Sequence, residues 1–302
     1  MPNSIEMTIY ADETQEVVDS ISGEKWFYTC AIYELEQKPI LVDLVDRRYC
    51  KDRSGWEGYY WQNNEELHWT ELGNRANKYK VADRWLNYIV DDCFKDKKFH
   101  FSILGINLSN LNREEFDSEQ NFNSMYNRFF RSMIQYCVKK FFNQQVHIQN
   151  IFHERGPQQD HGLFDWHTIR KLNEDESINL NCDRVEFLSK SHHDDKRSNI
   201  LQLCDVLLGV FKDLHLGVNI ETYPDGKKNI MNHKFVTDLL TERIIRNPRN
   251  INSSYAYAKR FNVSLFPKIS TKPEDIERKS DSYYDVSKVR LSYEHRNQGI
   301  LF

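Results

Sequence analysis

The sequence predicts a sheet domain of the α/β or α+β class over roughly its first 215 residues. Apolar residues recur with period two in several short runs and at three-to-four spacing in longer ones, and the two kinds of run alternate along the chain. Composition agrees. With 39% hydrophobic and 13% aromatic residues in 302, the chain can bury a core, which excludes a disordered polymer.

Residues 5–11 alternate, with Ile5, Met7, Ile9 and Ala11 on one side and Glu6, Thr8 and Tyr10 on the other. This strand runs straight into Asp12-Glu13. After the turn at Ser22-Gly23, residues 25–35 form a second strand rich in Trp, Phe, Tyr and Ile. The apolar run 40–45 reads equally as a further strand or as the start of a helix, and 47–64 reads as loop. Val81, Ala82, Trp85, Leu86, Ile89, Val90 and Cys93 share one face and predict a helix over 76–94. A strand follows over 99–108, then a helix over 121–142 with Met125, Phe129, Met133 and Cys137 on one face. The strand at 146–152 ends in His153-Glu154-Arg155-Gly156-Pro157, where Gly-Pro forces a stop. A short helix (164–172), a short strand (183–188) and an apolar helix (198–216) complete the pattern, with Asp194 and Asp195 placed to favour the N-terminal end of the last. Residues 1–217 therefore read as the domain and 218–302 as a C-terminal extension. That extension has a turn-rich start, a helix over 235–245, and a polar, weakly ordered or partner-bound tail beyond Pro267.

Several function classes are excluded or disfavoured. Forty-one basic against 45 acidic residues, a net charge of -4, rule out a polybasic arm as the main binding device. The six cysteines form no CxxC pair. The N-terminus lacks a signal-peptide pattern and no run of about 18 apolar residues exists, so a cytoplasmic location is the default expectation, with no membrane partner. No P-loop, G-x-G-x-x-G, G-x-S-x-G or HExxH occurs. His147, His153, His161, His167, His192 and His193 fall close together, but their spacing favours surface or hydrogen-bonded histidines over a zinc site. Trp56, Tyr59, Tyr60 and Trp61 suit either base stacking or packing of a loop on the sheet.

The acids at element ends carry the chemistry. Phosphodiester cleavage with Mg²⁺ or Mn²⁺ needs carboxylates that converge from different elements, because these hard cations prefer oxygen ligands. Asp12 ends the first strand. Its neighbour Glu13 points to the opposite face if the strand continues. Glu154 ends the strand at 146–152. Asp205 interrupts the apolar helix, on a stripe with Ser198, Gln202, Gly209 and Lys212. That stripe could be a wet face. However, a Gly inside a helix weakens it by about 1 kcal/mol unless close packing uses the missing side chain.

The ordered segments Ile9-Tyr10-Ala11-Asp12-Glu13-Thr14, Glu66-Leu67-His68-Trp69-Thr70-Glu71-Leu72, Ile151-Phe152-His153-Glu154-Arg155-Gly156, Leu188-Ser189-Lys190-Ser191 and Leu201-Gln202-Leu203-Cys204-Asp205-Val206-Leu207-Leu208-Gly209 resemble the bacterial and phage "domain of unknown function 3800" family. The resemblance spans about residues 5–216, and the last segment is its most specific part. It implies an RNase-H-like fold and a metal-dependent nuclease acting on DNA or RNA, in an anti-phage or mobile-element setting. Carried over, it implies Asp12, Glu154 and Asp205 as metal carboxylates, with Glu13 and Glu71 as possible catalytic additions. Ser189, Lys190 and Gln202 would orient a phosphate or close the site. His153 stands where the family has Asp, which implies an imidazole metal ligand, retuned toward Mn²⁺, or an impaired site. The alternative is a non-catalytic module that binds nucleic acid or protein on a degenerate fold, with partner contacts through 218–302.

Overall fold

The computed structural model describes residues 4–20, 22–49, 66–72, 76–93, 96, 98–111, 122–191, 195–216, 260–266 and 284–285. The mixed sheet flanked by helices is present. Strands β1 (Ile5–Glu13), β2 (Val17–Val18) and β3 (Lys25–Leu35) lead into helix α1 (Leu41–Tyr49). Helix α2 (Ala76–Tyr88) continues through a wider π-helical turn, Ile89–Cys93, to β4 (Phe99–Asn107). Then follow α3 (Phe122–Phe141), β5 (Val146–Glu154), α4 (Phe164–Asn173), β6 (Ile178–Leu180), β7 (Glu186–Leu188), α5 (Ser198–His215), β8 (Phe261–Phe266) and β9 (Tyr284–Asp285).

The sheet order is β6-β5-β1-β3-β4-β8-β9. The β1, β3 and β4 strands pair antiparallel, and β5 returns beside β1 in parallel. Both β6 and β7 pair in parallel with β5, at its start and at its end respectively. A three-stranded antiparallel half followed by strands parallel to the first is the RNase-H-like arrangement. Each face of the sheet is covered. Tyr10, Cys30, Ile32 and Phe152 pack under α1, α2 and α5. Met7, Ile9, Ala11, Ala31, Tyr33 and Ile151 pack under α3 and α4. Because β1 lies in the interior of the sheet, both of its faces are buried, and the polar-looking side of the sequence alternation is core as well.

The run at 40–45 opens a helix, since the Glu34 carboxylate accepts from the Ile40 and Leu41 amides (2.7 and 3.0 Å) and caps α1. Residues 261–266 depart from the expected division of the chain. They lie within the presumed extension, yet β8 pairs in parallel with β4 from Phe101 to Ile106 and is buried along its length. Its short alternation of Phe261, Val263 and Leu265 is a strand signal within a polar span. The helix expected at 235–245 and the aromatic group Trp56, Tyr59, Tyr60 and Trp61 lie outside the described residues. Among the described residues, no helix is long and apolar enough to cross a membrane.

Candidate functional site

The site forms where β1 and β5 end side by side. Parallel pairing sets Ala11 opposite His153, which brings Asp12 and Glu154 to adjacent positions on the same face. Helix α5 crosses that face and is anchored there by buried Cys204, whose Sγ donates to the Tyr10 carbonyl (3.6 Å). Asp205 follows Cys204 and reaches the same place.

The three carboxylates close on the ammonium of Lys190. Its Nζ is 2.9 Å from Asp12 Oδ2, 2.8 Å from Glu154 Oε2 and 3.4 Å from Asp205 Oδ1. Among the described residues, no three His, Cys, Asp or Glu side chains stand as a ready-made metal cage. Asp12 is fully buried and Lys190 nearly so, whereas Glu154 and Asp205 keep 24% and 23% of their side chains exposed, so the cluster opens to solvent on their side. Asp12 Oδ1 accepts from the Glu13 amide (2.8 Å), and Asp205 Oδ2 accepts from the Trp69 amide (2.6 Å).

Charge sets the behaviour of this cluster. Three carboxylates against one ammonium leave two negative charges uncompensated when all are ionised. Burial pushes the Asp12 carboxyl well above the usual carboxylate range; the Lys190 ammonium opposes this, and Glu154 and Asp205 add to it. Burial alone would lower Lys190, but Asp12, Asp205 and Glu154 outweigh it and hold the ammonium protonated.

The covering segment 66–72 is fixed on α5 by complementary shapes. Trp69 lays its ring over Gly209, where a Cβ would come within 1.9 Å of the ring, and its Nε1 donates to Asp213 (2.7 Å). The glycine on the polar stripe therefore makes a seat for Trp69. Gln202 lies beneath the same segment and is fully buried. Its Oε1 accepts from the Leu67 amide (3.1 Å) and from Arg48, and its Nε2 donates to the Lys190 carbonyl. Arg48 in turn donates to Asn199 (2.8 Å), and burial pushes its guanidinium down to about 10.

Asp12, Glu154 and Asp205 are brought together around Lys190. His153 is not among them. As the neighbour of Glu154 on a strand, it points to the other face, fully buried among Tyr126, Phe130, Phe164 and Phe187. Its Nδ1 donates to the Glu154 carbonyl (2.8 Å), and Nε2 meets the Tyr126 hydroxyl (2.7 Å) and Glu13 Oε2 (3.0 Å). It is therefore no ligand of the carboxylate cluster, and Glu13, on the same far face, is its counter-charge and not an additional acid of the site. Burial lowers His153, but Glu13 and the Glu154 carbonyl outweigh it, and the imidazole is raised above its ordinary range. Glu71 is ion-paired with Lys78. Gln202 is enclosed and positions backbone; it does not face a phosphate. The Ser189 hydroxyl accepts from the Ser191 amide (3.1 Å), shaping the turn that carries Lys190, while residues 192–194 of that loop lie outside the described residues.

Two residues not singled out from sequence stand at the site. His68 and Glu66 pair at 3.0 Å, and Glu66, then burial and Asp205, act on the His68 imidazole to give a net upward shift. Their segment was visible as a motif, but period and spacing gave no reason to prefer them to Glu71.

No protein-family model matches the chain, and no curated protein matches it.

Proposed function

We propose that this protein is a metal-dependent phosphodiester hydrolase acting on DNA or RNA, built on the RNase-H-like sheet of the "domain of unknown function 3800" family. The observation that carries this reading is the convergence of Asp12, Glu154 and Asp205 on a single cationic point. The donor set suits Mg²⁺ or Mn²⁺: all oxygen, all anionic, drawn from two strand ends and a crossing helix. Asp12, Glu154 and Asp205 would hold the ion, which when bound neutralises phosphate charge and lowers the pKa of a coordinated water. The chain's own contribution is positioning. The Glu13 amide orients Asp12, the Trp69 amide orients Asp205, and Gln202 joins Lys190 to the covering segment. The solvent-open side at Glu154 and Asp205 is where a phosphodiester would approach.

The test is cleavage of single- and double-stranded DNA and RNA in Mg²⁺ and Mn²⁺. Activity is expected in the parent protein and lost in Asp12→Ala and Asp205→Ala; cleavage that survives both changes would sink the assignment. A cytoplasmic anti-phage or mobile-element role belongs to the same proposal.

A second reading, a non-catalytic nucleic-acid- or protein-binding module, also has an observation in its favour, though a different one from His153. Lys190 already supplies the carboxylates with a cation. Mn²⁺ calorimetry separates the two, because this reading requires that no metal bind.

A further inference from the structure

The Lys190 ammonium stands where a metal would stand. A divalent cation drawing on the same three oxygens sits about 2.0–2.6 Å from them. The ammonium is already 2.8–3.4 Å from those atoms, on their shared side. Two like charges in so small a partly buried space repel strongly. They would also compete for the same lone pairs, so the two cations exclude one another.

We propose that Lys190 is an exchangeable counter-ion, filling the carboxylate cluster in the metal-free protein and leaving it when a divalent cation enters. This rests on the reading of the three carboxylates as metal ligands.

Three features support exchange over a fixed structural ion pair. The first is stoichiometry. A structural pair is matched in charge, as Glu13 and His153 are on the far face, whereas three carboxylates around one ammonium retain a demand for positive charge that a divalent ion meets better. The second is anchorage. Gln202 holds the Lys190 carbonyl and is itself held by Leu67 and Arg48, so the backbone stays in place while the side chain changes rotamer. The third is an exit. Asp12 closes the inner wall at 0% exposure, but Glu154 and Asp205 border solvent, and a four-carbon stem lets the ammonium swing out past them. Metal affinity is then a difference: the ion's gain less the loss of three ammonium contacts.

The experiment is calorimetric titration of Mn²⁺ into the full-length parent, Lys190→Met and Lys190→Arg, paired with thermal unfolding in chelator and in Mn²⁺. Lys190→Gln is run alongside, so that a folding failure of one neutral variant does not end the test. The neutral variants are expected to bind Mn²⁺ at least about tenfold more tightly than the parent, equivalent to about 1.4 kcal/mol. They are also expected to have a lower unfolding midpoint in chelator that Mn²⁺ restores. Lys190→Arg keeps the charge and is expected to bind no more tightly than the parent. Equal affinity in parent and neutral variants overturns the exchange while leaving the metal site standing. Binding in the parent that the neutral variants lose overturns it as well, making Lys190 part of the site's support. If neither parent nor variants bind Mn²⁺, the exchange and the metal-site reading fall together.

Discussion

The two faces of the sheet treat neighbouring residues in opposite ways. Asp12 and Glu154 face α5, while Glu13 and His153, one position away on the same strands, face α3 and α4. On the α3/α4 face one carboxylate meets one imidazole inside a ring of aromatic side chains, and the charges balance. On the α5 face three carboxylates share one ammonium and partly border solvent. Balanced and enclosed describes a structural device; surplus negative charge at an opening is what the proposed cation site rests on. A one-residue step along a strand separates the two roles.

The largest effect should come from the α5 face. Asp12→Ala is expected to reduce Mn²⁺ affinity by more than the roughly 10–100-fold that removing an outer-shell partner costs a metal site. Calorimetry gives the number, and an unchanged affinity would erase the functional contrast between the faces. Next comes His153→Gln, which leaves Glu13 beside an uncharged partner in an enclosed setting. A loss of about 3 kcal/mol in denaturant unfolding is expected, as for a broken buried pair, with Mn²⁺ affinity retained. An affinity that falls along with stability would mean the faces are not independent. Gly209→Ala tests the seat of Trp69. In an open helix the change should stabilise by about 1 kcal/mol, whereas against the Trp69 ring it is expected to destabilise by about 1–3 kcal/mol. The sign of the change in urea midpoint decides.

At neutral pH the smallest effect concerns His100, buried on β4 against Phe141 and Phe142. Burial, then Arg260 and Lys38, push its imidazole down to about 3. The unfolded chain therefore takes up a proton near pH 6.5 that the folded protein refuses. Its contribution to stability is full above that value and drains away as pH falls toward about 3, at up to about 1.4 kcal/mol per pH unit. His100→Phe should flatten that part of the stability–pH curve, as followed by urea unfolding between pH 7 and 4.

Much of this was legible in the sequence where a long apolar period was present. Helices α2, α3 and α5 and strands β3 and β4 fall within a few residues of where their patterns predict. Asp12, Glu154 and Asp205 could be chosen because each sits at a strand end or inside an apolar helix. The placement of His153 was available from the same alternation that separates Asp12 from Glu13. The family pattern, which reads His153 as a substituted ligand, led the other way. Lys190 could not be located as the cation of the cluster, since its loop has no periodicity and the contact depends on how β7 docks beside β5. Trp69 over Gly209 is likewise a three-dimensional fit. The sequence showed only that the glycine needed a reason.

The parallel pairing of β8 with β4 has a consequence for how the chain reaches its native state. Until residues 261–266 have been synthesised and have docked, β4 presents a bare edge of unpaired amides and carbonyls running past Phe101, Ile103 and Gly105. Closing that edge requires a contact between segments far apart in the chain, which slows folding relative to the nearer pairing of β1 with β3. A ribosome-bound intermediate ending near residue 217 would already carry all of the acids and Lys190, yet remain prone to edge-to-edge association. Strand β8 thus acts as a late-arriving guard against aggregation, separated by β3 and β4 from the strand that carries Asp12.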